Sequence, residues 1–131
     1  MKDLLCDEFQ ASVNECLVRH KSVLDTLTKF QEATSRVNRS IAKAVTNCGC
    51  IKINAGKQAP PENVSLTELR SYMENHLEGV LCESCEEAVE REMGRTLFYM
   101  AALCNLLDLN LYDVLLKESK RLSTLGVFNF S

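Results

Sequence analysis

The sequence predicts an all-α protein, a helical bundle built on one long N-terminal amphipathic helix or helix pair. Three observations carry that prediction. Leu5–Val45 contains neither Pro nor Gly, and its apolar residues recur at close to helical spacing. Helix-start signals stand at Ser22, Ser65 and Ser84, and glycines follow the helical patterns at Gly49, Gly79 and Gly126. With 131 residues, 46% of them hydrophobic and 25% charged, the chain has the length and composition of one folded domain, residues 1–131, and not of a low-complexity or disordered segment.

The first helical stretch carries Leu5, Phe9, Val13, Cys16, Leu17, Val23, Leu24, Leu27, Phe30, Val37, Ile41 and Val45 as its apolar series. Ser22 with Asp25 three residues later is a capping-box-like start, which favours a break near His20–Ser22. Asn47–Ile53 ends the helix and passes into a short β-like piece, Ile51–Ile53. A loop follows, marked by Gly56 and Pro60-Pro61; residues 47–64 form an insertion carrying a cysteine pair. Ser65-Leu66-Thr67-Glu68 is a capping box whose helix is expected to run to Gly79. Ser84 opens the next helix, to about Leu107, with Val89, Met93, Leu97, Met100, Ala101 and Cys104 expected inward. Gly94 inside it costs roughly 1 kcal/mol relative to Ala, which suggests close packing there. A last helix spans about Asn110–Thr124. The long amphipathic segment presents more apolar surface than one chain covers, so a homodimer is expected.

The charge of −3 is unevenly spread. Arg19–Lys57 holds eight basic residues against two acidic ones, and Gln58–Arg95 holds nine acidic against three basic. Two such blocks pack against each other, within a subunit or across a dimer, or else the basic one forms an anion- or partner-binding surface on Arg36, Arg39 and Lys43. The net negative charge argues against a general nucleic-acid binder, which leaves the basic helix as a minor alternative. No apolar run has the ~18–20 residues of a membrane span, and Met1–Gln10 is too acidic for a signal peptide. A cytoplasmic protein with reduced thiols is therefore expected.

Seven cysteines are many for this length. Cys6, Cys16 and Cys104 fall in helical patterns and read as small buried hydrophobes. The others form two tight pairs, Cys48-Gly49-Cys50 and Cys82-Glu83-Ser84-Cys85. Four thiolates suit a tetrahedral structural Zn²⁺ site, with His76 as a substitute ligand, and such a site would clamp the Gly56–Gly79 excursion onto the bundle. An iron–sulfur cluster, a redox dithiol at a helix start, or four unmetallated thiols are the alternatives.

Glu86–Leu125 resembles the MazG-like group of all-α nucleoside-triphosphate pyrophosphohydrolases. The residues that carry the resemblance are Glu92-Met93-Gly94-Arg95, Thr96-Leu97-Phe98-Tyr99 and Leu107-Asp108-Leu109-Asn110-Leu111, with looser similarity over Phe30–Val45. The resemblance implies a MazG-like core and a Mg²⁺ site of four carboxylates, two at i, i+3 on each of two helices, for hydrolysis of a nucleoside triphosphate to monophosphate and pyrophosphate. Glu32 and Glu92 match the first residue of each pair. Ser35 and Arg95 stand where the second carboxylates belong, and a cation in a ligand shell repels Mg²⁺. A rebuilt site would draw on Glu32, Glu87, Glu90 and Glu92. Alternatively Arg95 and Glu92 form a buried ion pair, and the protein binds a nucleotide or protein partner without catalysis.

Overall fold

The computed structural model describes residues 2–19 and 21–126. Its order is α1 (Lys2–Cys16), α2 (Val23–Lys43), a π-helical turn (Ala44–Cys48), β1 (Ile51–Ile53), α3 (Leu66–Leu69), a 3₁₀ turn (Arg70–Tyr72), β2 (Leu77–Gly79), α4 (Glu83–Leu106) and α5 (Leu111–Leu125). The chain is mainly helical, as expected, with one small antiparallel ribbon added.

The N-terminal stretch is two helices. Ser22 is extended and N-caps α2, although its side chain makes no capping bond. Helix α2 lies along α4 with Thr26 and Ala33 as its buried positions, and Ala44 at the start of the π turn is buried too. Helix α1 packs on the C-terminal half of α4. There Val13 and Leu17 meet Ala101 and Ala102, with Phe9, Phe98, Tyr99 and Leu111 around them. Ala101 and Ala102 are wholly buried, so small residues set how closely α1 and α4 approach.

Amide groups tie α1 to the α4–α5 joint. Buried Gln10 donates from Nε2 to the Leu109 carbonyl at 2.7 Å and accepts the Leu111 N–H at 2.8 Å. Asn105 donates to the Gln10 carbonyl at 2.9 Å, and Asn110, the N-cap of α5, donates to Asp7 at 3.0 Å. Helix α5 leaves α4 at a bend of 107°. No single helix is long and apolar enough to cross a membrane.

Four expectations are corrected. The Ser65 box does start a helix, with its side chain accepting the Glu68 N–H, but the helix ends after one turn. The chain then becomes β2, because Leu77–Gly79 finds ladder partners in Ile53–Ile51. Met93, Leu97 and Met100 are exposed, not inward, because α2 and α1 cover other faces of α4. Gly94 is not a close-packing position, since a Cβ there meets nothing within 4 Å. Of the three isolated cysteines Cys104 is buried, Cys6 partly so, and Cys16 exposed.

A candidate metal centre beside a cationic groove

The ribbon explains how two cysteine pairs far apart in sequence come together. Ile51 pairs with Gly79, Lys52 with Glu78 and Ile53 with Leu77. Continuing that register three residues outward sets Cys48 opposite Cys82. Gly49 stands between the first two cysteines with φ +79°, the left-handed conformation that lets the chain turn back on itself. Its N–H closes the π turn on the Ala44 carbonyl at 2.8 Å. Gly79 has φ +88°, and a Cβ there would lie 2.6 Å from the Cys50 carbonyl oxygen, so only glycine lets the second strand press against the first pair.

The sulfurs of Cys48, Cys50, Cys82 and Cys85 all lie within 4.8 Å of one another. Cys48 Sγ and Cys82 Sγ are 3.7 Å apart. A tetrahedron with metal–sulfur bonds of about 2.3 Å has edges of about 3.8 Å, so the donor set fits a four-thiolate ion. The Cys85 N–H donates to Cys82 Sγ at 3.4 Å, which also caps α4. Among the described residues, this is the group of three or more His, Cys, Asp or Glu side chains close enough to share an ion.

The thiols are electrostatically unequal. The Cys85 N–H, followed by the Cys85 and Cys48 side chains, lowers Cys82 to about 7. The Cys82 side chain, with burial next, pushes Cys85 up to about 12. Cys48 is raised: the Cys50 N–H favours its thiolate, but the Cys82 side chain and other neighbours outweigh that. Four thiols this close compete for one negative charge, and a bound cation removes the competition by deprotonating its ligands. His76 lies outside the cluster; its Nε2 is 2.9 Å from the Gln58 amide nitrogen.

A groove of about 690 Å³ runs from this cluster between α2 and α4. Cys48 and Cys85 line one end, Glu32 and Glu92 the other, and Arg36, Arg39 and Lys43 lie along it. The three basic side chains singled out in the sequence therefore share one concavity with two of the four acidic candidates. Glu87 and Glu90 are exposed and outside it. Glu32 is held by Lys29 at 3.1 Å and Arg36 at 3.3 Å, and Lys29 above all keeps its carboxyl below the ordinary range. Glu92 pairs with Arg95 at 3.2 Å. That pair is not buried in the bundle, since the Arg95 side chain is 51% exposed. Arg39 and Lys43 have no acidic partner among the described residues. Sequence reasoning missed Ser40, Asn47 and Ser84 as groove residues. Their polarity was visible, but only the packing of α2 on α4 gathers them.

No protein-family model, curated protein or solved structure matches the chain.

Proposed function

We propose that this chain is a non-catalytic binding protein in which a structural Zn²⁺ on Cys48, Cys50, Cys82 and Cys85 fixes one end of a groove for an anionic ligand, a nucleotide or the acidic part of a protein partner. The observation that carries the reading is the convergence of four sulfurs within 4.8 Å of one another, with Cys48 and Cys82 at the 3.7 Å of a tetrahedral edge. Zn²⁺ is the ion chosen because thiolates are soft donors and a structural role asks for no redox change. The ion would join the π turn after α2 to the start of α4, and so hold the two walls of the groove together. Arg39 and Lys43, being uncommitted, are the side chains offered to the ligand.

The fold is read as a divergent MazG-like core. Support comes from Glu32 and Glu92 facing one groove from two helices, with Ser35 and Arg95 in place of the remaining carboxylates. Because Glu32 and Glu92 are each engaged by cations, hydrolysis is read as lost. Their shared groove is also the one observation that favours the second reading, an active Mg²⁺-dependent nucleoside-triphosphate pyrophosphohydrolase.

Metal analysis tests the first element. About one zinc per chain is expected in protein purified without added zinc, and none in the Cys48→Ser/Cys82→Ser variant. Wild-type protein with four freely titrating thiols and no metal overturns the clamp. For the groove, ATP and inorganic phosphate are titrated in turn. Binding that weakens about tenfold or more in Arg39→Ala/Lys43→Ala supports the reading. Release of pyrophosphate that needs Mg²⁺ and disappears in Glu92→Gln replaces it with the enzyme.

A further inference from the structure

The chain exposes far more surface than its mass requires. A compact monomer of 14.7 kDa exposes about 6,900 Å² by surface–mass scaling. This one exposes 10,039 Å², an excess of about 3,100 Å². Counting residues 1–3, 20 and 127–131 as fully extended, at about 160 Å² each, would remove at most about 1,400 Å² of that. About 1,700 Å² per chain is left to be covered, about 3,400 Å² for two chains, which is the scale of an obligate homodimer interface.

A continuous part of the uncovered apolar surface lies where α5 projects. Helix α5 has no buried residue, although it is amphipathic. Val114, Leu115, Leu122 and Leu125 are all exposed, and Leu115, Leu122 and Leu125 recur at helical spacing on one side. Among the described residues, hydrogen bonds to other elements fasten only the base of the helix, through Asn110 and the Leu111 N–H. Beside that base, Leu4 and Leu5 of α1 are exposed too, Leu5 to 70%. An arm of this kind gains nothing from ordering its apolar face unless another surface meets it.

Charge selects what meets it. Helix α1 carries Asp7, Glu8 and Glu15, and Glu8 and Glu15 have no ion-pair partner among the described residues. Helix α5 carries Lys117, Lys120 and Arg121; Arg121 pairs with Glu118 on its own helix, Lys117 flanks the leucine face without an ion-pair partner among the described residues, and Lys120 lies on the opposite side. An acidic, apolar-edged helix and a basic, apolar-faced one on the same chain are complementary between two copies. We infer that the protein is a two-fold homodimer in which the α5 arm of each copy lies along α1 of the other, burying the leucine face and setting Lys117, at the edge of that face, toward the acidic residues of α1. A two-fold axis uses the same contact twice and closes the assembly, leaving no sticky arm free.

Sedimentation equilibrium of the full chain tests this. A dimer is expected at about 10 µM, and Leu115→Lys/Leu122→Lys is expected to weaken it by about 100-fold or more with helical content unchanged. Both substitutions are on an exposed face, so a folded monomer is the expected product. In a second arm, Lys117→Glu weakens self-association on its own. Mixing it with Glu8→Lys/Glu15→Lys restores a dimer containing one of each. A wild-type monomer overturns the inference, including one whose α5 binds lipid vesicles. A dimer indifferent to both sets of substitutions overturns it equally.

Discussion

The two ends of α4 are held by opposite means. At its C-terminal end, Val13, Leu17, Ala101 and Ala102 close a small apolar core, and Gln10, Asn105 and Asn110 stitch the joint with amide bonds. At its N-terminal end there is little to bury. Val89 is the one buried residue in the N-terminal half of α4, the ribbon is three residues long on each side, and β2 is exposed throughout. Such a ribbon is marginal in water without a further constraint. One end is stabilised by removing apolar area from water, the other by sulfurs whose positions make sense around an ion. The difference is general: burial needs many residues, whereas four donors at the right spacing hold a short, polar segment.

The strongest way to break that comparison is to take the ion away. Chelation, or Cys50→Ser, is expected to lower overall stability by several kcal/mol, since metal binding free energy is folding free energy for the part it organises. Hydrogen exchange locates the loss. Amides of β1, β2 and the first turns of α4 should exchange as in unfolded chain, while those around Val13 and Ala101 stay protected. Uniform loss of protection would mean that the two ends are one cooperative unit.

Next in size is Gly79→Ala. The new Cβ would stand 2.6 Å from the Cys50 carbonyl on a backbone at φ +88°. A cost of about 3 kcal/mol is expected from strain and displacement together. Unlike a core substitution, it should also weaken zinc retention against a competing chelator, because Cys50 must shift. At the other end Gln10→Ala leaves the Leu109 carbonyl and the Leu111 N–H without their partner. Thermal denaturation should show a loss of about 2 kcal/mol with zinc retention unchanged.

How much of this was legible depends on the range of the interaction involved. The break before Val23, the pieces at Ile51–Ile53 and Glu83–Leu106, and the pairing within each cysteine motif are local, and they are readable from Ser22, Gly49 and the Cys spacing. That Cys48 meets Cys82 is not local. It follows from the β1–β2 register, and β2 lies in a stretch whose capping box reads as helix. The box at Ser65 is real, yet Tyr72 and Met73 find no core to pack on and stay half-exposed, so nothing rewards a longer helix. Met93, Leu97 and Met100 mislead for a related reason. An apolar stripe at helical spacing identifies a face, but the face that is covered depends on where α1 and α2 lie. Arg36, Arg39 and Lys43 were readable as one surface, whereas the groove they share with Glu32 and Glu92 required the packing of α2 on α4.

The smallest expected effect has the opposite sign from the rest, and it separates the two glycines of the α4 region. Gly94 lies inside the helix with ordinary backbone and open space where its Cβ would be, while Gly79 has neither freedom. Alanine reduces the entropy of the unfolded chain and costs nothing in contacts at such a site, so Gly94→Ala is expected to raise stability by about 1 kcal/mol. Chemical denaturation resolves a change of that size. The inferred dimer sharpens the prediction, because it covers α1 and α5 and leaves the Met93–Met100 face of α4 open. A destabilising Gly94→Ala would therefore place a closely approaching partner on that face, and would require a second interface beyond the α5 arm.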